Sequence, residues 1–226
     1  MAALERVGKA VYLAGRLVGR AATPWREQGE LRLKARVARL NRLLAAVVAT
    51  SGSQPGVALV LLEPRRFGGL VCEPDVGLSP RVLVDEFLGP AIAELTGGWP
   101  DKVGISLAVG IGEGPALAAE RAWALVDDED GAVGIRVGSG RPDLDRTAAA
   151  LWALTEAVTS SWTGRQRKLF QIYKEHGPQV SRVAEMSGMS PSAVSHMLRR
   201  MHVHEVEEGR RAFLVMLQEL LRQSNS

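Results

Sequence analysis

The chain predicts an α+β front half followed by an all-helical tail, and three observations carry that prediction. From Ala10 to Val137 the hydrophobic pattern alternates between strand and helix periods in the order β-α-β-β-α-β-α-β. From Asp143 onward the period is helical throughout. Charge divides along the same line: residues 1–50 carry ten Lys/Arg against three Asp/Glu, residues 51–162 eight against sixteen, and residues 163–226 ten against six. An acidic middle between basic ends argues for two domains with different work and places any polyanion contact at the ends. The expected division is 1–140 for the α+β domain, 141–162 for a linking helix and 163–226 for the helical domain.

The bulk numbers narrow the function classes. At 226 residues the chain can bury two modest cores. An apolar content of 46% with 23% charged residues excludes a disordered or collagen-like chain. The apolar runs are far short of a membrane span, so no membrane partner is expected. The start, MAALERVGKAVYLAGRLVGR, has the basic flanks of a signal, but Arg16 and Arg20 break its apolar segment and it reads as structure. A single cysteine, Cys72, permits no internal disulfide and fits a reducing cytoplasm; it reads as a small buried hydrophobe.

Taken in order, Val7 to Val18 is rich in small and β-branched residues and predicts a first strand, roughly Ala10 to Gly15, with Thr23-Pro24-Trp25 in the following loop. Glu30 to Ala49 predicts an amphipathic helix, with Leu33, Val37, Leu40, Leu44 and Val47 on its apolar stripe. Arg32, Arg36 and Arg39 lie on another face, either solvated or within reach of DNA. A turn cluster at residues 51–56 precedes a strand at Val57–Leu62, a polar turn Glu63-Pro64-Arg65-Arg66 and a returning strand at Phe67–Cys72. Pro80 to Leu95 predicts one helix closed by Gly97-Gly98, and Lys102 to Val109 a buried strand. Pro115 opens a helix to about Val126, Ala132 to Val137 is the last strand, and Asp143 to Ser160 the bridging helix. The run Gly110-Ile111-Gly112-Glu113-Gly114-Pro115 reads as a tight strand-to-helix turn, because it lacks both the third glycine of a dinucleotide fingerprint and the Lys-Ser/Thr of a P-loop.

The tail from Thr163 to His202 predicts three helices. The first carries Leu169, Ile172 and Tyr173 and stops at His176-Gly177-Pro178. The second runs from about Gln179 to Ser187. Ser190 caps the third, with Pro191 at its first position, where a missing N–H costs nothing. Two helices crossing steeply need a small residue at their contact and a residue tolerant of positive φ in the turn; Ala184 and Gly188 supply them. Val183, Met189, Val194 and Met197 then point inward, leaving Ser192, Ala193, Ser195, His196, Arg199 and Arg200 outward. That spacing is specific for helix-turn-helix binding of double-stranded DNA. Ser190, Arg165 and Lys168 join the candidate DNA-contacting set, since residues 163–200 carry seven Lys/Arg against two acids. Val203 to Gln223 predicts a last amphipathic helix, packed back on this unit or paired with a second copy.

His196, His202 and His204 have no spacing that places metal ligands on one helix face, so no metal is expected. Trp25, Trp99, Trp123, Trp152 and Trp162 are scattered and read as core anchors.

The run from Trp162-Thr163 and Arg165-Gln166 through MSPSAVSHMLRR resembles the tail of SatD-family proteins. Their front part is similar to the nucleotidyl cyclase and GGDEF palm, a ferredoxin-like sheet. Here AGRLVGR (14–20), LLEPRRFGGL (61–70) and VGISLAVGIGEGPALAAERAWAL (103–125) sit where the family has a Gly-Asp motif, a hairpin reading like GDEFQGL, and a strand, glycine turn and Ala-Arg helix. In catalytic palms two acids hold the metals that neutralise triphosphate. Arg16 stands at the first of those positions and Glu63-Pro64 replaces Gly-Asp at the second, so the resemblance implies a palm without catalysis or cofactor. Arg16, Arg20, Arg65 and Arg66 are candidate partners for a nucleotide or small-molecule effector. The expectation is a cytoplasmic DNA-binding regulator, not an enzyme, acting as a homodimer that reads two half-sites. The rival is a cyclase-like enzyme with the helical unit as an interaction module, for which Glu63, Glu73 and Asp75 are the nearby carboxylates. A third reading is a protein-interaction adaptor whose basic face binds an acidic partner.

Overall fold

The structure, a computed structural model, describes residues 9–18, 23–50, 58–63, 65–73, 78–96, 104–128 and 133–222. The chain divides into two compact units, Met1–Ala150 with Leu214–Ser226, and Leu151–Phe213. The helices at Pro142–Ser160 and Val203–Arg222 each run through one of these boundaries.

The first unit is α+β, built on a mixed sheet of five strands. These are β1 (Ala10–Val18), β2 (Val60–Glu63), β3 (Arg66–Cys72), β4 (Gly104–Gly112) and β5 (Gly134–Gly138), in the spatial order β2-β3-β1-β4-β5. β4 and β5 are parallel and the other neighbours antiparallel. The predicted order of elements holds; several boundaries move. β1 extends to Val18, three residues beyond its expected end, because it lies between two partners and every residue has a ladder to join. Thr23-Pro24-Trp25, expected in a loop, opens helix α1 (Thr23–Thr50), where proline is tolerated in the first turn. The expected four-residue polar turn contracts, since Glu63 and Arg66 are already paired across the hairpin. The turn at 51–56, Gly97-Gly98, Trp99, Asp75 and Arg20 lie outside the described residues.

The stripe on α1 behaves as its spacing requires: Leu33, Val37, Leu40, Leu44 and Val47 are all buried. Its arginine face does something local periodicity does not reveal. Arg36 donates to the main-chain oxygens of Glu94 and Leu95, and Arg39 lies 3.3 Å from the Glu94 carboxylate. Both cations thus serve the C-terminal end of helix α3 (Gly89–Thr96), where the helix dipole is negative. Burial holds the Arg36 guanidinium below its ordinary pKa.

The single helix expected at 80–95 is three segments: α2 (Pro80–Val82), a π-helical stretch at Leu83–Leu88, and α3. Pro90 accounts for the break. It has no N–H to give Glu86 in an α-helical ladder, and its ring would strike that carbonyl. Widening the preceding turn, with the Gly89 N–H bonded to the Val84 oxygen, relieves both problems.

Helix α4 (Pro115–Asp127) lies close on the sheet because small residues let it. A Cβ at Gly110 would stand 2.0 Å from the Ala118 oxygen, and one at Gly112 2.8 Å from the Ala118 nitrogen. The glycines at the end of β4 therefore serve backbone approach, with Ala14, Ala108, Ala122 and Val126 filling the contact. Arg121 fastens the turn by donating to the carbonyls of Ile111 and Ser139.

The second unit contains the later part of α5 (Pro142–Ser160), then α6 (Gly164–His176), α7 (Val180–Ser187), α8 (Pro191–Arg200) and the first part of α9 (Val203–Arg222). Trp162, Leu169, Val183, Ala184, Val194, Met201, Val203 and Val206 form its buried core, with Met189 and Met197 packed against them. The first part of helix α9 packs back on this unit as expected, and its last turns belong to the sheet unit. Val206 and Phe213 are buried within this unit, whereas Leu217, Leu220 and Leu221 are buried as part of the sheet unit.

Candidate nucleic-acid interface

The geometry of α7 and α8 follows from a few local devices. Gly188 ends α7 in the left-handed region, φ 66° and ψ 27°, and the Met189 N–H reaches back to the Ala184 oxygen at 3.0 Å. Ser190 then starts α8, its hydroxyl accepting from the Ala193 N–H at 3.2 Å, with Pro191 at the first helical position. Ala184 is 3% exposed at the centre of the contact and Val194 fully buried beneath α8. Behind them, Thr163 and Gln166 form a reciprocal capping box on α6. The Trp162 indole N–H donates to the Met201 oxygen at 3.1 Å, and its ring meets Phe170 edge to face. The bond ties the start of α6 to the end of α8, across a separation in sequence that no short motif spans.

With Val194 held inward, the outward residues of α8 are determined by helical rotation. Ser190, Ser192, Ala193, His196, Arg199 and Arg200 are exposed and Ser195 is half-buried on the same side. Arg165 and Lys168 are exposed on α6. Among the described residues, no carboxylate lies within ion-pair distance of Arg165, Arg167, Lys168, Arg182, Arg199 or Arg200. By contrast Lys174 is 3.1 Å from Glu207 and Arg211 3.5 Å from Glu208. Positive charge without a carboxylate partner is thus gathered on α6, α7 and α8, while Glu207 and Glu208 on α9 answer Lys174 and Arg211. Arg210 lies over the rings of Trp152 and Phe170, and burial pushes the nearby Glu156 carboxyl above its usual range, against the opposing pull of Arg210.

The candidate effector residues of the sheet unit are placed differently. Arg16 and Arg66 are cross-strand partners and both serve the C-terminal end of α4. Arg66 donates to the Asp127 carboxylate at 2.7 Å and stacks on Trp123, while Arg16 reaches the Asp128 main-chain oxygen at 3.4 Å. Arg65 bonds the Leu17 oxygen at 3.4 Å and accepts from its N–H. Arg136, not singled out from sequence, completes this fastening through Asp128 and Ser106. These guanidinium groups hold strands and α4 together.

Glu63 closes β2 at the hairpin and Glu73 follows the far end of β3, so the length of that strand, roughly 20 Å, separates them. They cannot share one metal ion. Among the described residues no group of three or more His, Cys, Asp or Glu side chains converges as metal ligands would. The Cys72 thiol is fully buried and pushed up to about 12 by burial and by Glu73, which makes it inert. Among the described residues no helix is long and apolar enough to cross a membrane.

No protein-family model matches the chain, and no curated protein matches it significantly. It is similar to a solved structure, that of a regulator of polyketide synthase expression from Bifidobacterium adolescentis, at 14% identity over 97% of this chain and 87% of that one, with a TM-score of 0.32. So distant a likeness leaves the functional reading to the residues themselves.

Proposed function

We propose that this chain is a sequence-specific DNA-binding protein, a regulator of transcription, in which α7 and α8 form a helix-turn-helix. In this reading α8 enters the major groove. Ser192, Ala193, Ser195 and His196 face base edges there, and Ser190, Arg199 and Arg200 meet phosphates. The observation that carries the reading is the outward face of α8: its two arginines are exposed with no acid partner among the described residues, over a helix fixed from below by Val194 and at its start by Ser190. Arg165 and Lys168 stand apart from this set because they border a groove with an apolar floor.

The sheet unit, in the same reading, is a palm related to the nucleotidyl cyclases that has lost catalysis, as in the SatD-like resemblance. The order β2-β3-β1-β4 supports it, because two crossing β-α-β halves generate that order. Arg16 where a metal ligand would stand, and the separation of Glu63 from Glu73, support the loss of catalysis. Such a unit would serve for dimerisation or effector sensing in a homodimer that spans two half-sites.

Titration of the full chain with labelled genomic fragments at several salt concentrations tests the reading. Sequence-selective binding is expected, and Arg199→Ala and Arg200→Ala should each lower the slope of log K against log salt by about 0.9. Absence of binding to any genomic fragment at low salt would overturn it.

A further inference from the structure

We infer that the groove between α6 and the α7–α8 turn docks an acidic, amphipathic segment of a partner protein. The groove encloses about 210 Å³. Leu169, Ile172 and Met189 form its floor, and Met186 stands at its mouth with 54% of its surface exposed. Arg165 and Lys168, one helical turn apart on α6, make its rim. Neither cation has a carboxylate within ion-pair distance among the described residues.

Two chemistries are therefore left open side by side: an apolar surface in water and a pair of positive charges without counter-charge. One ligand answers both if it carries apolar side chains flanked by Asp or Glu. Methionine suits such a surface, being unbranched and able to adjust its shape to a helix or turn laid against it. Two cations spaced by one turn match carboxylates on one face of a docked helix. A DNA backbone would answer the charges only. It would press phosphate and sugar against Met186 and Ile172, removing phosphate from water with nothing apolar in return. Charge complementarity together with the apolar floor favours protein over nucleic acid here. This inference does not depend on α8 binding DNA.

Panning a phage-displayed library of random linear peptides against the full chain tests it. The expected selection is peptides in which Asp or Glu flank a pair of large apolar residues. Synthetic versions should bind the full chain by fluorescence anisotropy. Met186→Gln and the double variant Arg165→Gln/Lys168→Gln should each weaken them roughly tenfold. All three side chains are exposed, so unchanged thermal melts are expected and would show the variants folded. No enrichment, enrichment without that pattern, or affinities unmoved by the variants would overturn the proposal. In a second arm the double variant is titrated with duplex DNA. An unchanged salt slope is expected; a fall of about 0.9 for each cation would assign the groove to phosphate and overturn it. Should the chain bind no DNA, that arm counts against the α8 reading alone and the peptide arm still decides.

Discussion

At the scale of single residues, backbone conformation and burial make the clearest demands. Gly188 is left-handed and a Cβ there would meet nothing within 4 Å, so Gly188→Ala tests backbone strain alone. The strain, less the entropy saved in the unfolded chain, should cost about 0.5–1 kcal/mol. Gly110→Ala meets the Ala118 oxygen at 2.0 Å and should cost about 3 kcal/mol or more. His202 presents the reverse case: a side chain held at φ 54°, in the turn between α8 and α9. His202→Gly should raise stability by about 0.5–1 kcal/mol in thermal or urea melts, and a fall would refute the strain assigned to it. Glu156 adds a pH dependence. Burial raises its pKa in the folded chain, so folding binds a proton between the ordinary carboxylate range and the raised value. Its contribution is therefore favourable at the acid side of that window and is lost as pH rises through the folded pKa. Melts across that window should show the wild type losing stability relative to Glu156→Gln as pH rises; a constant difference would contradict the assignment.

At the scale of elements, α8 can be taken apart into a capping role and a contact role. Ser190 holds the first turn, and Asp caps a helix as well as Ser does while its charge suits the helix N-terminus. Ser190→Asp should leave the melting temperature unchanged or higher yet weaken DNA binding roughly tenfold by repelling phosphate. A melting temperature lowered along with affinity would mean that Ser190 acts only through the fold. This helix is legible in the sequence for the same reason: cap, proline, small contact residue and left-handed glycine all lie within the span 184–194, and each acts on its near neighbours. Features that join distant segments left no such trace. Asn41 is an ordinary polar position on α1 until folding brings it to Leu59, whose N–H and C=O it pairs with at 2.8 Å each. Arg36 reads as part of a solvated stripe but reaches across to α3. Arg16 and Arg66, fifty residues apart on paper and grouped by the resemblance alone, become neighbours through strand register. The π-helical stretch could have been anticipated, since Pro90 stands inside a pattern otherwise read as one continuous helix.

At the scale of the whole molecule, the chain completes most of the sheet unit, builds the helical unit, and then returns to the first with residues from Leu214 onward. The helical unit is in that sense an insertion, and the last turns of α9 belong to a core formed more than a hundred residues earlier. Leu217, Leu220 and Leu221 are at most 1% exposed there, and Gln218 donates to the Asp85 carboxylate at 2.9 Å. Burying one leucine contributes about 1.5–3 kcal/mol, so the three together contribute roughly 5–9 kcal/mol. A whole domain is stable by only about 5–15 kcal/mol. A chain ending after Phe213 should therefore lose the cooperative melt of its sheet unit, even though every strand is present. Leu217→Ala alone should cost about 2–5 kcal/mol. Circular dichroism melts of the two variants beside the full chain check this. A truncated chain that unfolds cooperatively within a few degrees of the intact one would show that the returning segment adds nothing to the sheet unit, and that the two halves are joined in series after all.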